Sequence, residues 1–81
     1  MSAPLLSLVI PVLNEENMVP LFLESIRPHV AAALERIRPD AQAEYVFVDD
    51  GSTDATVQTV CALAERDPAI RLVKLSRNFG K

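Results

Sequence analysis

Two periodicities of apolar residues alternate along the chain. Residues 45–48 and 70–75 are expected to be short strands, and residues 5–13 form a nearly continuous apolar run rich in branched side chains. Such runs are typical of strands buried on both faces of a parallel sheet. Pro11 cannot donate to a sheet ladder, so the first strand is expected to end there or to run along an edge of the sheet.

The segments between these runs have the periodicity of helices. Apolar residues spaced by three and four predict the first helix, with an apolar stripe made of Val19, Leu23, Ile26, Val30, Leu34 and Ile37. Pro28 lies inside this stripe and predicts a kink, or a break into two pieces near Arg27. A second helix, ending near Asp67, is expected to bury Val57, Val60, Cys61 and Ala64.

The order of elements is therefore strand, helix, strand, helix, strand. Strands that alternate with helices indicate an α/β fold in which right-handed crossovers join parallel strands. Three parallel strands make an incomplete sheet, so residues 1–81 are interpreted as the βαβαβ part of a larger domain. One edge of that sheet should be exposed, and the chain alone should self-associate, with Val73 and Leu75 less buried than their apolar character implies.

Composition narrows the range of partners. The chain has 49% hydrophobic and 23% charged residues and a net charge of -3, which is an ordinary globular composition. No Lys/Arg cluster is present to neutralise a row of phosphates, so nucleic acid is not an expected partner. The single cysteine excludes an internal disulfide and is consistent with a reducing, cytoplasmic compartment. No export signal or membrane span is predicted within these residues.

Unusual polar residues follow each predicted strand, where open α/β sheets bind their ligands. The first loop carries Asn14, Glu15 and Glu16, the second carries 49–54, and the third carries Arg77, Asn78 and Lys81. Glu15 and Glu16 are also favoured at a helix N-terminus without any ligand. The cations of the third loop are suited to phosphate but are common on surfaces.

Asp49-Asp50-Gly51-Ser52 is the most informative of these segments. Two adjacent carboxylates repel each other, and carboxylates accept hydrogen bonds from base N–H groups and ribose hydroxyls. We predict that both acids serve a ligand more than the fold. In the alternative, Asp50 and Asp54 are turn and helix-cap residues and Asp49 is merely solvated. The segment by itself leaves both interpretations open.

Three motifs together, 9–16, 48–54 and 75–81, resemble the opening of the inverting family-two glycosyltransferases. Within that family they are most similar to the polyprenyl-phosphate group, which includes dolichol-phosphate mannose synthase. The resemblance covers residues 6–81 and implies the N-terminal part of a Rossmann-like nucleotide-diphospho-sugar transferase fold, termed GT-A.

The resemblance also implies roles for individual residues. Pro11, Leu13 and Glu15 would line the nucleotide pocket, Asp49 or Asp50 would hold base and ribose, and Ser52 would close the turn; these six residues are the predicted nucleotide site. Relatives often have an aromatic residue at the position of Leu13, so stacking on the base would be replaced by an apolar contact. No catalytic residue is expected within the chain.

For the longer protein, the resemblance implies a UDP- or GDP-sugar donor and a lipid-phosphate acceptor at the cytoplasmic face of a membrane. A divalent metal, Mg²⁺ or Mn²⁺, would be held by an Asp-x-Asp motif beyond residue 81. The chain alone should therefore be inactive and bind nucleotide weakly, without metal dependence.

Two alternatives remain beside this interpretation. A receiver-like phosphoacceptor domain also has acids at strand ends, but there the acidic pair follows the first strand rather than the second. A non-catalytic α/β interaction module would use the acidic loops as caps and turns only. A dinucleotide-binding domain is disfavoured because the chain has two glycines and no Gly-x-Gly-x-x-Gly.

Overall fold

The computed structural model describes residues 5–75 and contains five elements in the predicted order. These are β1 (Leu5–Val12), α1 (Met18–Ile37), β2 (Gln42–Asp49), α2 (Thr56–Arg66) and β3 (Ile70–Lys74). Arg77, Asn78 and Lys81, which carry the predicted third loop, lie outside the described residues. The α/β class and the alternation of strands and helices are confirmed.

The three strands form one parallel sheet in the order β1-β2-β3. Val12 of β1 lies opposite Asp49 of β2, and Asp49 lies opposite Lys74 of β3. The predicted three-stranded parallel sheet is therefore confirmed. Its register brings the carboxyl ends of all three strands to one edge.

Both helices pack on the same face of this sheet. Val19 and Leu23 of α1 and Val60 of α2 belong to one core cluster with Tyr45 and Phe47 of β2. A chain that steps from β1 to β2 to β3 moves in one direction, and right-handed crossovers then place both helices on one side. Phe47, fully buried on the central strand, lies at the centre of this core.

The opposite face of the sheet is open within the described part of the chain. Alternate residues of β1 are exposed, and Val9 retains 66% of its accessible surface. The open face consists of Leu5, Ser7, Val9, Pro11, Gln42, Glu44, Val46, Val48, Arg71 and Val73. The prediction that the first strand is buried on both faces is thus wrong within residues 5–75, because the two crossovers cover one face only.

We expect residues 1–81 alone to self-associate through the open face. Val9 is two-thirds exposed, and Val73 and Leu75 are exposed as predicted; exposed apolar patches of this kind drive association. Light scattering should give a mass above that of a monomer, and Val9→Lys should lower it. Leu21→Lys changes an equally exposed apolar residue on α1 and is the matched control. If residues 1–81 without any substitution stayed monomeric at high concentration, this expectation would be wrong.

The two prolines behave differently from each other. Pro11 remains within β1, which lies at one edge of the sheet that residues 5–75 form, as predicted. Pro28 lies inside α1, which continues from Met18 to Ile37, so the predicted break into two pieces is wrong. An interior proline costs about 3 kcal/mol. Burial of Leu23 and Val30 on either side of Pro28 stabilises the helix by a comparable amount.

Two predicted core positions are on the surface. Cys61 is exposed, because α2 buries Thr56 and Val60 and each residue along a helix turns by about 100°. Ile37, the last residue of α1, retains 47% of its accessible surface. Across residues 5–75, neither helix combines the length and the apolar character needed to cross a bilayer.

Candidate nucleotide-binding site

The ends of β1 and β2 lie side by side, with Pro11 and Asp49 in the strands and the other four predicted site residues in the adjacent loops. Pro11 is paired with Val48 and Val12 with Asp49. The Asp50 N–H donates to the carbonyl of Val12 at 3.3 Å, which extends the contact beyond the strands. The first loop, 13–17, and the second loop, 50–55, therefore leave the sheet next to each other.

Asp49 forms the turn that begins the second loop. Its side chain points to the helix-covered face, as those of Tyr45 and Phe47 do, and the residue is 2% exposed. The Oδ2 atom accepts hydrogen bonds from the N–H groups of Gly51 and Ser52, both at 3.2 Å. Gly51 has φ of 96°, a left-handed conformation that favours glycine. The alternative in which Asp49 is merely solvated is therefore wrong.

Asp49 stays ionised although it is buried. Burial raises the pKa of its carboxyl, but hydrogen bonds from Ser52 and Gly51 and the positive charge of Lys74 outweigh burial and hold the pKa below its usual value. Within the described part of the chain, the buried Oδ1 atom has no hydrogen-bond partner. A negative charge thus lies directly beneath the turn.

This lowered pKa predicts a loss of stability in acid. A carboxyl whose folded pKa lies below the unfolded value, near 3.8, stabilises the fold above that value. The contribution is lost as the pH falls through the folded pKa. The midpoint temperature of thermal unfolding should fall when the pH is lowered below about 4. In Asp49→Asn, the midpoint temperature should depend less on pH in this range. Asp40→Asn, at the opposite edge of the sheet, is the control. Identical acid profiles for wild type and Asp49→Asn would contradict the assignment.

Hydrogen bonds join the two loops. The Glu15 N–H donates to Thr56 Oγ1 at 2.8 Å, and the Glu16 N–H donates to Asp54 Oδ2 at 3.3 Å. In return, the Ala55 N–H donates to Glu16 Oε1 at 3.0 Å. The hydroxyl and the amide of Thr56 both donate to Asp54 and hold the pKa of that carboxyl below its usual value. We call the hydrogen bonds that join the two loops the cross-loop network. This network also includes the bonds between Asn14 and residues 52–54.

The two glutamates do not occupy the first turn of α1. That helix begins at Met18 and has no acidic residue in its first turn, whereas the carboxylate of Glu16 contacts the start of α2. Glu15 Oε1 accepts the Leu13 N–H at 3.4 Å, within its own loop. The two glutamates lie just before the helix, near its start as predicted, since the backbone carbonyl of Glu15 accepts the N–H groups of Met18 and Val19 at 3.0 and 3.1 Å.

A cavity of about 240 Å³ lies beside the end of β1. Pro11 and Glu15 are two of its lining residues, and the others are apolar: Ile10, Val12, Met18, Val19 and Phe22. Leu13, with 51% of its surface exposed, and the residues of the second loop are not part of this lining. Five of the predicted site residues therefore form two groups, Pro11 and Glu15 at the cavity and 49, 50 and 52 at the turn after β2, and Leu13 belongs to neither.

The sequence matches the family model of glycosyl transferase family 2 over residues 7–81, which is nearly the whole chain. The chain belongs to this family. Membership agrees with the order of strands and helices and with the acids at the end of β2. It excludes the alternative that the chain is a receiver-like phosphoacceptor domain.

Individual members of family 2 are similar to this chain at substantial identity. The bactoprenol glucosyl transferase of Shigella phage SfX is 42% identical over 76 residues, which cover 94% of this chain and 23% of the relative. The dodecaprenyl-phosphate galacturonate synthase of Rhizobium johnstonii is 43% identical over 77 residues, covering 94% and 21%. The undecaprenyl-phosphate 4-deoxy-4-formamido-L-arabinose transferase of Pseudomonas aeruginosa is 46% identical over 78 residues, covering 95% and 21%. The chain thus spans less than a quarter of the length of these relatives.

A metal ion does not fit the described residues. Within residues 5–75, no three His, Cys, Asp or Glu side chains form a group that could hold a metal ion. The acids of the two loops are instead used as hydrogen-bond acceptors for backbone amides, as for Asp49 and Glu16. We therefore derive no chemical step through a metal from this part of the family 2 domain.

Proposed function

We propose that this chain is the nucleotide-binding part of a longer glycosyltransferase that transfers a sugar from a nucleotide-sugar donor to a polyprenyl-phosphate lipid. Membership of family 2 supports the reaction class. The names of two relatives specify dodecaprenyl phosphate and undecaprenyl phosphate, and a third specifies bactoprenol. These names support a lipid phosphate as acceptor.

The observation that carries the nucleotide role is the junction of two strand ends with a cavity beside it. The register of β1 and β2 brings the loop after Pro11 against the turn after Asp49, and Pro11 and Glu15 line the cavity. Ligands of open α/β sheets bind at such carboxyl edges. The proposed nucleotide site therefore includes Pro11, Leu13, Glu15, Asp49, Asp50 and Ser52.

The two aspartates take different roles in this proposal. Asp49 is 2% exposed and uses Oδ2 to hold the amides of Gly51 and Ser52, which supports a role in shaping the turn. Asp50 is half-buried, so its carboxylate is the better placed of the two to accept hydrogen bonds from a base N–H or a ribose hydroxyl. Ser52 closes the turn.

In the transfer step, an oxygen of the lipid phosphate bonds to the anomeric carbon as the bond from that carbon to the nucleotide diphosphate breaks. The configuration is inverted, and the diphosphate leaves with the bonding electrons. Residues 5–75 contribute by holding the base and ribose, which fixes the donor relative to the acceptor. We assign no catalytic residue to this chain.

The remaining partners belong to the longer protein. We propose a UDP- or GDP-sugar donor, a divalent metal held by ligands outside this chain, and a location at the cytoplasmic face of a membrane, where a polyprenyl phosphate is available. A metal ion would supply charge stabilisation for the leaving diphosphate.

Leu13 offers a test of the first loop. If this exposed side chain contacts the base, Leu13→Asp in the full-length protein should weaken nucleotide binding about tenfold or more, because an unpaired carboxylate would be desolvated. Leu13→Tyr should bind equally well or better, since an aromatic ring restores a stacking surface. Calorimetric titration with UDP and GDP measures both. If Leu13→Tyr lost nucleotide binding while Leu13→Asp kept it, Leu13 would lie away from the base.

The function itself is tested with the full-length protein, purified in detergent. UDP and GDP are titrated first, and transfer of labelled sugar to a polyprenyl phosphate is then measured for the nucleotide that binds. Binding and transfer of label to the lipid are the expected results. A folded protein that binds neither nucleotide would favour the alternative, a non-catalytic α/β interaction module.

A further inference from the structure

Asn14 has an unusual backbone conformation. Its φ is +53°, in the left-handed region, and it is the one non-glycine residue with positive φ in the described part of the chain. Few residues other than glycine adopt this region, and asparagine is among those that tolerate it best. A side chain at this position needs a reason to be there, because glycine would adopt the same backbone conformation without cost.

The contacts of Asn14 supply that reason. Its side-chain Oδ1 accepts hydrogen bonds from the Thr53 N–H at 2.8 Å, the Asp54 N–H at 3.3 Å and the Thr53 hydroxyl at 3.3 Å. Its own backbone N–H donates to Ser52 Oγ at 2.9 Å. One residue of the first loop thus contacts three consecutive residues of the second loop.

The left-handed backbone and these contacts depend on each other. A residue with ordinary φ would direct its side chain and its N–H elsewhere, so the conformation of Asn14 permits both to face residues 52–54. The other members of the cross-loop network contact the start of α2, at Ala55 and Thr56, or the side chain of Asp54. The side-chain carbonyl of Asn14 is the group that accepts the backbone N–H groups of Thr53 and Asp54.

We propose that Asn14 is a positioning residue for nucleotide binding, and this proposal rests on the function proposed above. The Asn14 side-chain carbonyl holds the backbone of Thr53 and Asp54 and thereby keeps Asp50 and Ser52 in the geometry that binds the donor. Asn14 itself does not contact the nucleotide. Removing the carbonyl frees the second loop, and the nucleotide must then order that loop when it binds.

Two substitutions separate the backbone contribution from the side-chain contribution. Asn14→Gly keeps the positive φ and the N–H to Ser52 but removes the acceptor. Asn14→Asp keeps an acceptor at the same position and is the conservative replacement. Asn17→Gly is the matched control, because Asn17 is three residues away and makes no side-chain cap hydrogen bond to α1.

The test combines two measurements on the full-length protein: calorimetric titration with UDP and GDP, and hydrogen exchange of residues 52–55 without nucleotide. Asn14→Gly should weaken binding of the preferred nucleotide about tenfold and speed exchange in residues 52–55. Asn14→Asp should restore slow exchange and bind within about threefold of wild type. Asn17→Gly should match wild type in both measurements.

Three results would overturn the proposal. If Asn14→Gly binds as tightly as wild type with unchanged exchange, Asn14 does not position the loop, and the nucleotide function stands. If Asn14→Gly and Asn14→Asp lose binding equally, the acceptor role is wrong. If folded wild type binds neither nucleotide, the proposed function and the positioning role both fail.

Discussion

Asp50→Asn is expected to weaken nucleotide binding by the full-length protein by about 1 to 3 kcal/mol, or roughly 5- to 150-fold in Kd. Asp50 is half-buried and begins the turn that Asp49 holds. A charged acceptor bonded to a base or ribose donor becomes a weaker, neutral acceptor when Asn replaces Asp. Calorimetric titration with the preferred nucleotide gives the change.

Two comparisons make this result specific to the site. Asp40→Asn makes the same change at the opposite edge of the sheet, where Asp40 pairs with Arg38 at 2.8 Å, and should leave Kd unchanged. The midpoint of thermal unfolding should barely move in Asp50→Asn. If Asp50→Asn and Asp40→Asn bind the nucleotide equally tightly, Asp50 does not contact it.

Phe47→Ala should cost about 3 to 5 kcal/mol in free energy of unfolding, the range for a fully buried phenylalanine. Phe47 is 0% exposed on the central strand and packs in the core cluster with residues of both helices. Domains have total stabilities of about 5 to 15 kcal/mol, so a large share of the stability of this region would be lost. Urea denaturation, monitored by circular dichroism, measures the change.

Phe22→Ala is the matched control for the core substitution. Phe22 lies on α1 and retains 37% of its accessible surface, so truncation removes less buried apolar area and should cost clearly less. Equal losses in the two variants would contradict the position of Phe47 at the centre of the core.

The sequence predicted the order of elements and the parallel sheet because apolar runs and helical stripes have different periods. It did not predict which faces are covered. The apolar residues Val9 and Val73, on the open face, look the same in the sequence as those packed under the helices. Coverage depends on the direction of the crossovers, which has no signature in the apolar pattern.

Two predictions about the helices were also wrong, the burial of Cys61 and the break at Pro28. Val60 and Cys61 were both assigned to the core, and of these two neighbours Val60 is fully buried whereas Cys61 is exposed. The break at Pro28 was expected from local chemistry, and burial on both sides of the proline outweighs that chemistry.

For the candidate site, the sequence placed the polar residues in loops that the structure brings together, but it did not indicate what the individual side chains contact. The alternation Tyr45, Phe47, Asp49 along β2 was the available signal that Asp49 points inward. Asn14 was named among the polar residues of the first loop but was given no role of its own. Its hydrogen bonds reach 38 to 40 positions along the chain, and local sequence patterns contain no information at that separation.

Hydrogen exchange of the full-length protein with and without UDP or GDP tests the central claim most directly, because it locates the bound nucleotide. Protection should increase in peptides covering residues 11–16 and 49–54, the two loops at the carboxyl edge of the sheet. Peptides covering residues 36–42, at the opposite edge, should be unchanged. Saturating nucleotide that protects residues 36–42, or that leaves both loops unprotected, would contradict the nucleotide site assigned to this chain.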